Sequence, residues 1–212
     1  MSGDAAHKNL AIAAELNPED TARAELYALI SSLFYAPPAK ELLELIATGS
    51  GICNDEHNTE FCRSWRALQQ AATRMDPESV KEEFDSAFIG TGRQPVMLYG
   101  SFYLAGFLHE KPLALLRDDL TKMGIARRGD RHESEDHVSA LCDVMRFLVA
   151  GDADTSAAAL DRQREFFRRH IAPWYPALSA AVINANQTDF YKQVAHVARE
   201  FFAIENAAFD ID

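Results

Sequence analysis

Residues 90–112 read GTGRQPVMLYGSFYLAGFLHEKP, and the fold class turns on them. Val96, Tyr99, Phe102, Tyr103 and Phe107 are of types that favour strands. Gly90, Gly92, Gly100 and Gly106 rule out one long helix. A lone strand here would leave its backbone donors and acceptors unpaired, because no other segment reads as its partner. The stretch is therefore expected to be a loop, one short helix near 99–106, and a linker over 107–112.

On the C-terminal side the chain has helical period throughout. Pro112 opens a helix with Leu113, Leu116, Leu120 and Met123 on one stripe, and Gly124 suits its C′ position. After a polar loop, Arg127 to Glu133, Ser134 is expected to cap a helix carrying Val138, Leu141, Cys142, Met145 and Leu148, closed by Gly151. Further helices are expected from about Thr155 to His170, from Pro173 through Ala185, and from a Thr188 cap through Tyr191, Val194, Ala198, Phe201 and Phe202.

On the N-terminal side Asn17-Pro18-Glu19-Asp20 supplies a cap, a proline for the first turn and early acids. Leu26, Leu29, Ile30, Leu33 and Phe34 follow on one face. Pro38 to Ile46, a stripe of Phe61, Trp65, Leu68 and Ala72, and Asp76-Pro77-Glu78 leading to Gly90 read as three more helices. The expected fold is all-α, a single helical domain of about eight to ten helices. Its expected lobes, about 18–106 and 113–203, are joined by a hinge near 107–112. Residues 1–17 are expected to form a flexible tail and 204–212 an acidic one.

The formal charge is -11, with 48% hydrophobic and 25% charged residues. These are ordinary globular proportions. An acidic surface repels phosphate, so nucleic acid is an unfavourable partner, and a basic peptide is a favourable one. Cys53, Cys62 and Cys142 are an odd number without a Cys-x-x-Cys pair, which suits a reducing compartment. The first residues lack a basic start followed by a long apolar run, and no stretch approaches the roughly 18 apolar residues of a membrane span. A cytoplasmic protein without membrane insertion is expected.

His132 to His137, HESEDH, is the densest ionisable run. Its histidines are five apart and fall on different helix faces, unlike the i, i+4 pair of a zinc protease, so no metal site is expected. Ser134, Glu135 and Asp136 instead suit a helix start. Gly90-x-Gly92 lacks the Lys-Ser/Thr of a phosphate loop. The basic run 162–169, RQREFFRR, suits a solvated helix face. No catalytic residue is assigned. The aromatics Tyr99, Phe102, Tyr103 and Phe107, set beside glycines, suit either core packing or anchor pockets for an apolar peptide.

Four pieces of the chain together resemble the TorD/DmsD/NarJ family of redox-enzyme maturation chaperones, over about residues 20 to 203. The first is the helix with Tyr27, Leu33, Phe34 and Tyr35. The second runs from Phe84 through Phe88-Ile89-Gly90 and Pro95 to Tyr99-Gly100-Ser101-Phe102-Tyr103. The third is Met123-Gly124-Ile125 followed by Glu133-Ser134-Glu135-Asp136-His137, where the family usually has Glu-Pro-x-Asp-His and Ser134 replaces the proline. The fourth joins Phe167, His170, Pro173-Trp174, Phe190-Tyr191 and the closing helix.

The resemblance implies an all-helical chaperone without catalysis or a cofactor of its own. Its implied partners are the twin-arginine signal peptide and the apo form of a molybdenum-cofactor oxidoreductase, kept from export until its cofactor is inserted. In that setting Asp136, with Glu133 and Glu135, is expected to receive guanidinium. His137 is expected to orient Asp136 or bond the peptide backbone. Phe88, Tyr99 and Tyr103 are expected to line the apolar groove, and Gly124 to permit close backbone approach. The alternative is a helical protein-interaction or regulatory module with no signal-peptide role, and a hydrolase built on the acid-histidine run is a third reading. A monomer and a lobe-swapped homodimer are both compatible with the hinge.

Overall fold

Several helices begin where the sequence places a cap. Asn17 accepts a hydrogen bond from the Asp20 N–H at 2.8 Å, and Pro18 fills the first position of α1 (Pro18–Tyr35). After α2 (Lys40–Thr48), the Thr59 hydroxyl accepts from Cys62 N–H and starts α3 (Glu60–Arg74). Asp76 accepts from Glu78 and Ser79 N–H and starts α4 (Pro77–Phe84). α4 tightens into a π-helical turn, Asp85–Ile89, that ends at Gly90 with φ +56°. This computed structural model describes residues 16–49, 52–53, 59–90, 95–126, 133–151, 157–186 and 188–211.

The deciding stretch divides in two. Gly100–Ala105 forms the short helix α5, and α6 (Lys111–Lys122) follows the linker. Before α5 the chain is extended and lies against the residues that precede α7 (Val138–Ala150). There Val138 N–H donates to Leu98 C=O and Gly100 N–H to Asp136 C=O, both at 2.9 Å, around an isolated bridge between Tyr99 and His137. The backbone groups of this aromatic segment thus find partners across the chain, without a sheet. α8 (Leu160–His170), α9 (Tyr175–Ile183) and α10 (Phe190–Ile211) complete the fold, which is all-α among the described residues.

Four expectations change. Ser134 does not cap α7; it lies in a turn, and His137 takes the cap position, its Nδ1 accepting from Ser139 N–H at 3.2 Å. Thr188 does not cap α10. Its hydroxyl donates to Val182 and Ala185 carbonyls at the end of α9, and the first N–H groups of α10 donate to Glu83 on α4. Residues 204–211 are not a tail but the last two turns of α10. Glu205 is 2% exposed, Phe209 is buried, and Arg23 spans the Glu205 carboxylate with bonds of 2.8 and 2.9 Å. Tyr27 donates to the same carboxylate, and Gln163 accepts from Arg23, so α1, α8 and α10 meet at one buried charge pair. Finally, Cys53 and Cys62 are joined in a disulfide, with only Cys142 left as a buried thiol. Of the N-terminal tail, residues 1–15 lie outside the described residues, as do Gly92, the 127–132 loop and the start expected near Thr155.

α1 packs along α7, and α10 packs on α3 and α9. The segments before and after the linker therefore share one core. Tyr27, Ile30, Leu33 and Phe34 of α1 meet it with Leu141, Cys142, Met145 and Leu148 of α7, all nearly inaccessible. Each such side chain contributes about 1.5–3 kcal/mol by leaving water. No helix among the described residues is long and apolar enough to cross a membrane.

Candidate functional site

Asp136 is the knot between the two segments singled out in the sequence. Its backbone carbonyl accepts from Gly100, its Oδ2 accepts from Ser101 N–H at 2.8 Å, and its Oδ1 accepts from the Ser134 hydroxyl. The carboxylate therefore caps α5, and the side chain is only 3% exposed. Gly100 is required here for a steric reason: a Cβ would stand 3.1 Å from the Trp174 ring. His137, also buried, has its ring edge-on to Tyr99 at 5.0 Å. Because its Nδ1 accepts an N–H, the ring proton sits on Nε2. Tyr99 donates its hydroxyl to Glu133, and burial, then that carboxylate, push its phenol well above the ordinary range.

Beside this knot lies a groove of about 270 Å³. Its apolar wall comes from Leu120 and Ile125 on and after α6 and from Val144 and Phe147 on α7. Glu133, Glu135 and Asp143 bring three carboxylates to it, and Tyr35 at the end of α1 closes one side. Arg146 is the cation among the lining residues, and Glu135 is also paired with Arg117 at 2.8 Å. A small aromatic recess of about 40 Å³ shares Tyr35 and Glu133 with the groove and adds Phe88, Tyr99 and His137. Apolar walls under several carboxylates suit a cationic side chain on an apolar segment.

The fold brings most of the expected residues together. Glu133 and Glu135 line the groove, while Phe88, Tyr99 and His137 line the recess. Phe88 is 3% exposed and packs edge-on against Tyr191, so it forms the floor. Asp136 and Tyr103 lie apart. Asp136 faces a different cavity, and Tyr103 stacks on Trp174 at 5.5 Å and donates its hydroxyl to Met97 C=O. Gly124 ends α6 with φ +72° and open space where a Cβ would stand, so its glycine character serves the backbone turn. Sequence reasoning missed Asp143 and Phe147. The signal was available: Ser139, Asp143 and Phe147 recur at i, i+4 and i+8, one face of α7.

Comparison with known proteins agrees with this architecture. The chain matches the family described as nitrate reductase delta subunit over residues 54–180. It is similar to the chaperone protein TorD of Aliivibrio fischeri, with 26% identity over 90% of this chain and 96% of that protein. It is equally similar to TorD of Vibrio cholerae, with 26% identity over 92% of this chain and 96% of the relative. A crystal structure of a putative redox enzyme maturation protein from Archaeoglobus fulgidus shares the fold, with a TM-score of 0.55, 21% identity, and 86% of this chain and 93% of that one covered. The helical architecture, the Glu133–His137 turn and these matches together establish that the chain belongs to the nitrate reductase delta subunit family, the TorD/DmsD/NarJ family that its residues resemble.

Proposed function

We propose that this protein is a chaperone for the maturation of a molybdenum-cofactor oxidoreductase, and that it holds the twin-arginine signal peptide of its apo client in the groove between α6 and α7. Holding the leader delays export until the cofactor is in place. The protein acts in the cytoplasm and performs no chemistry of its own.

The observation that carries this reading is the three carboxylates of Glu133, Glu135 and Asp143 on the apolar wall of Leu120, Ile125, Val144 and Phe147. A twin-arginine leader has the complementary order of charge and apolar residues. Its guanidinium groups take charge-assisted, bidentate bonds from carboxylates, and its apolar stretch covers the wall. The net charge of -11 speeds the encounter with a basic peptide. Asp136 and His137 serve this site by holding its frame, since both are buried and cap helices. This differs from a direct grip by Asp136 on the peptide.

The test is titration of a fluorescent twin-arginine leader peptide against the wild type and a Glu133→Gln, Glu135→Gln double variant. Neutralising two carboxylates at a partly solvated site is expected to weaken binding by about tenfold or more, with a flatter salt dependence. A leader with both arginines replaced by glutamine should bind weakly to either protein. Equal affinity of the two proteins for the natural leader would refute the groove as its site.

A further inference from the structure

A second cavity, of about 310 Å³, opens between α5, α6 and α9 and shares no lining residue with the acidic groove. Its floor is apolar and dry: Leu116, Leu141 and Trp174 are each no more than 2% exposed. Its rim is apolar too, but open, with Leu104 at 42% and Leu115 at 39% exposure. The linker beside it adds Phe107, at 71%, and Leu108. Four of the ten large hydrophobic side chains exposed among the described residues thus fall within residues 104–115. Scattered exposed leucines need no explanation, whereas this concentration beside a formed cavity marks a contact surface.

The charge at this mouth is opposite to that of the molecule. Lys111 and Arg169 line it, and Lys111 makes no ion pair with a described residue. Arg169 shares its charge with Asp119 at 3.0 Å. The carboxylate in the lining, Asp136, is already committed to Ser101 and Ser134. His170, the other titratable group there, donates to Asp119 and is held neutral-leaning by burial. At physiological salt the Debye length is about 8 Å, so these near cations outweigh the distant acidic surface. The linker is set in place by two left-handed residues, Gly106 at φ +83° and His109 at φ +61°, with His109 N–H donating to the Ser101 hydroxyl at 3.2 Å. A histidine in that conformation is uncommon and retained at some energetic cost.

We infer that this cavity is a docking site for an amphipathic helix of a protein partner, one that inserts apolar side chains past Leu104 and Leu115 and sets acidic flanks against Lys111 and Arg169. The occupant is helical because the walls offer no strand edge. The bridge between Tyr99 and His137 is the one strand-like pairing among the described residues, and a helical guest satisfies its own backbone. α6 is the wall common to both surfaces: Leu116 faces this cavity and Leu120 the acidic groove. The molecule thus presents two chemically opposite surfaces, one for a basic segment and one for an acidic segment.

The probes are two labelled amphipathic helical peptides with the same leucine stripe, one flanked by glutamates and one by lysines. Binding is followed by peptide anisotropy and by the fluorescence of the chain, because Trp174 stands in the cavity wall. The glutamate peptide is expected to bind about tenfold or more tighter at low salt. Lys111→Glu should remove most of that preference. Leu115→Glu, at an exposed helix position that tolerates the change, should weaken both peptides, with circular dichroism confirming the fold. An unlabelled twin-arginine leader should not displace the glutamate peptide. Equal binding of the two peptides, displacement by the leader, or indifference to Leu115→Glu would each overturn the proposal. So would self-association of the wild type that Leu115→Glu abolishes while neither peptide binds, since the occupant would then be a second copy of the chain.

Discussion

Replacing Asp136 by alanine separates a structural role from a peptide-binding one. The carboxylate accepts from Ser101 N–H at 2.8 Å and from the Ser134 hydroxyl, and Ser101 is fully buried. Truncation leaves that amide without an acceptor and away from water, which costs about 1–3 kcal/mol. Loss of the bond to Ser134 adds about 0.5–1.5 kcal/mol. Asp136→Ala is therefore expected to destabilise the protein by about 2–4 kcal/mol. With a urea m-value of about 2.5 kcal/mol per molar for a chain of this size, the midpoint falls by roughly 1–1.5 M. Asp136→Asn keeps both contacts, its Oδ1 accepting from Ser101 and its amide donating to the Ser134 oxygen, and should cost less than about 1 kcal/mol. The assay is equilibrium urea unfolding followed by circular dichroism, with leader titration on the folded asparagine variant, where affinity should persist. An Asp136→Ala midpoint within about 0.5 kcal/mol of the wild type would falsify the capping role.

Three further outcomes follow from buried groups. Burial holds the His170 imidazole below its ordinary pKa, against the opposing pull of Asp119. As pH falls the unfolded chain takes up this proton first, so the contribution is full above about pH 6.5 and is lost below it. His170→Gln should flatten the fall in unfolding midpoint between pH 7.5 and 5.5, and an unchanged slope would contradict the assignment. The Tyr191 hydroxyl is buried with no hydrogen bond to a described residue, and Tyr191→Phe should raise stability by about 1 kcal/mol in the same urea assay. Reducing the Cys53–Cys62 disulfide should lower stability by about 2–3 kcal/mol, the entropy of the short loop it closes, measured as a midpoint shift with and without reductant.

The helices were legible because the chain carries their signals locally. The proline after Asn17, the Asp76-Pro77 start and the leucine stripe of α6 each act within one or two turns, and each matches the structure. The starts of α7 and α10 were not legible, because their caps come from a turn and from another helix. His137 takes over from Ser134 only because residues 134–137 are pulled into a turn against Leu98–Ser101, and Glu83 reaches α10 across about a hundred positions of sequence. The C-terminal turns of α10 read as a tail because Glu205 looks solvated until Arg23 and Tyr27 are seen to meet it.

By itself, the sequence determined an all-helical chain, the family it belongs to, and the two segments that had to meet, since periodicity, caps and motif residues are local properties. Only the tertiary structure decided what those segments do on meeting. Asp136 turns inward to cap α5, Glu133 and Glu135 turn toward the groove, and the aromatics divide between two cavities. Side chains one or two residues apart in a turn point in different directions. Which of them faces water is set by the helices packed around them, and no local rule carries that information.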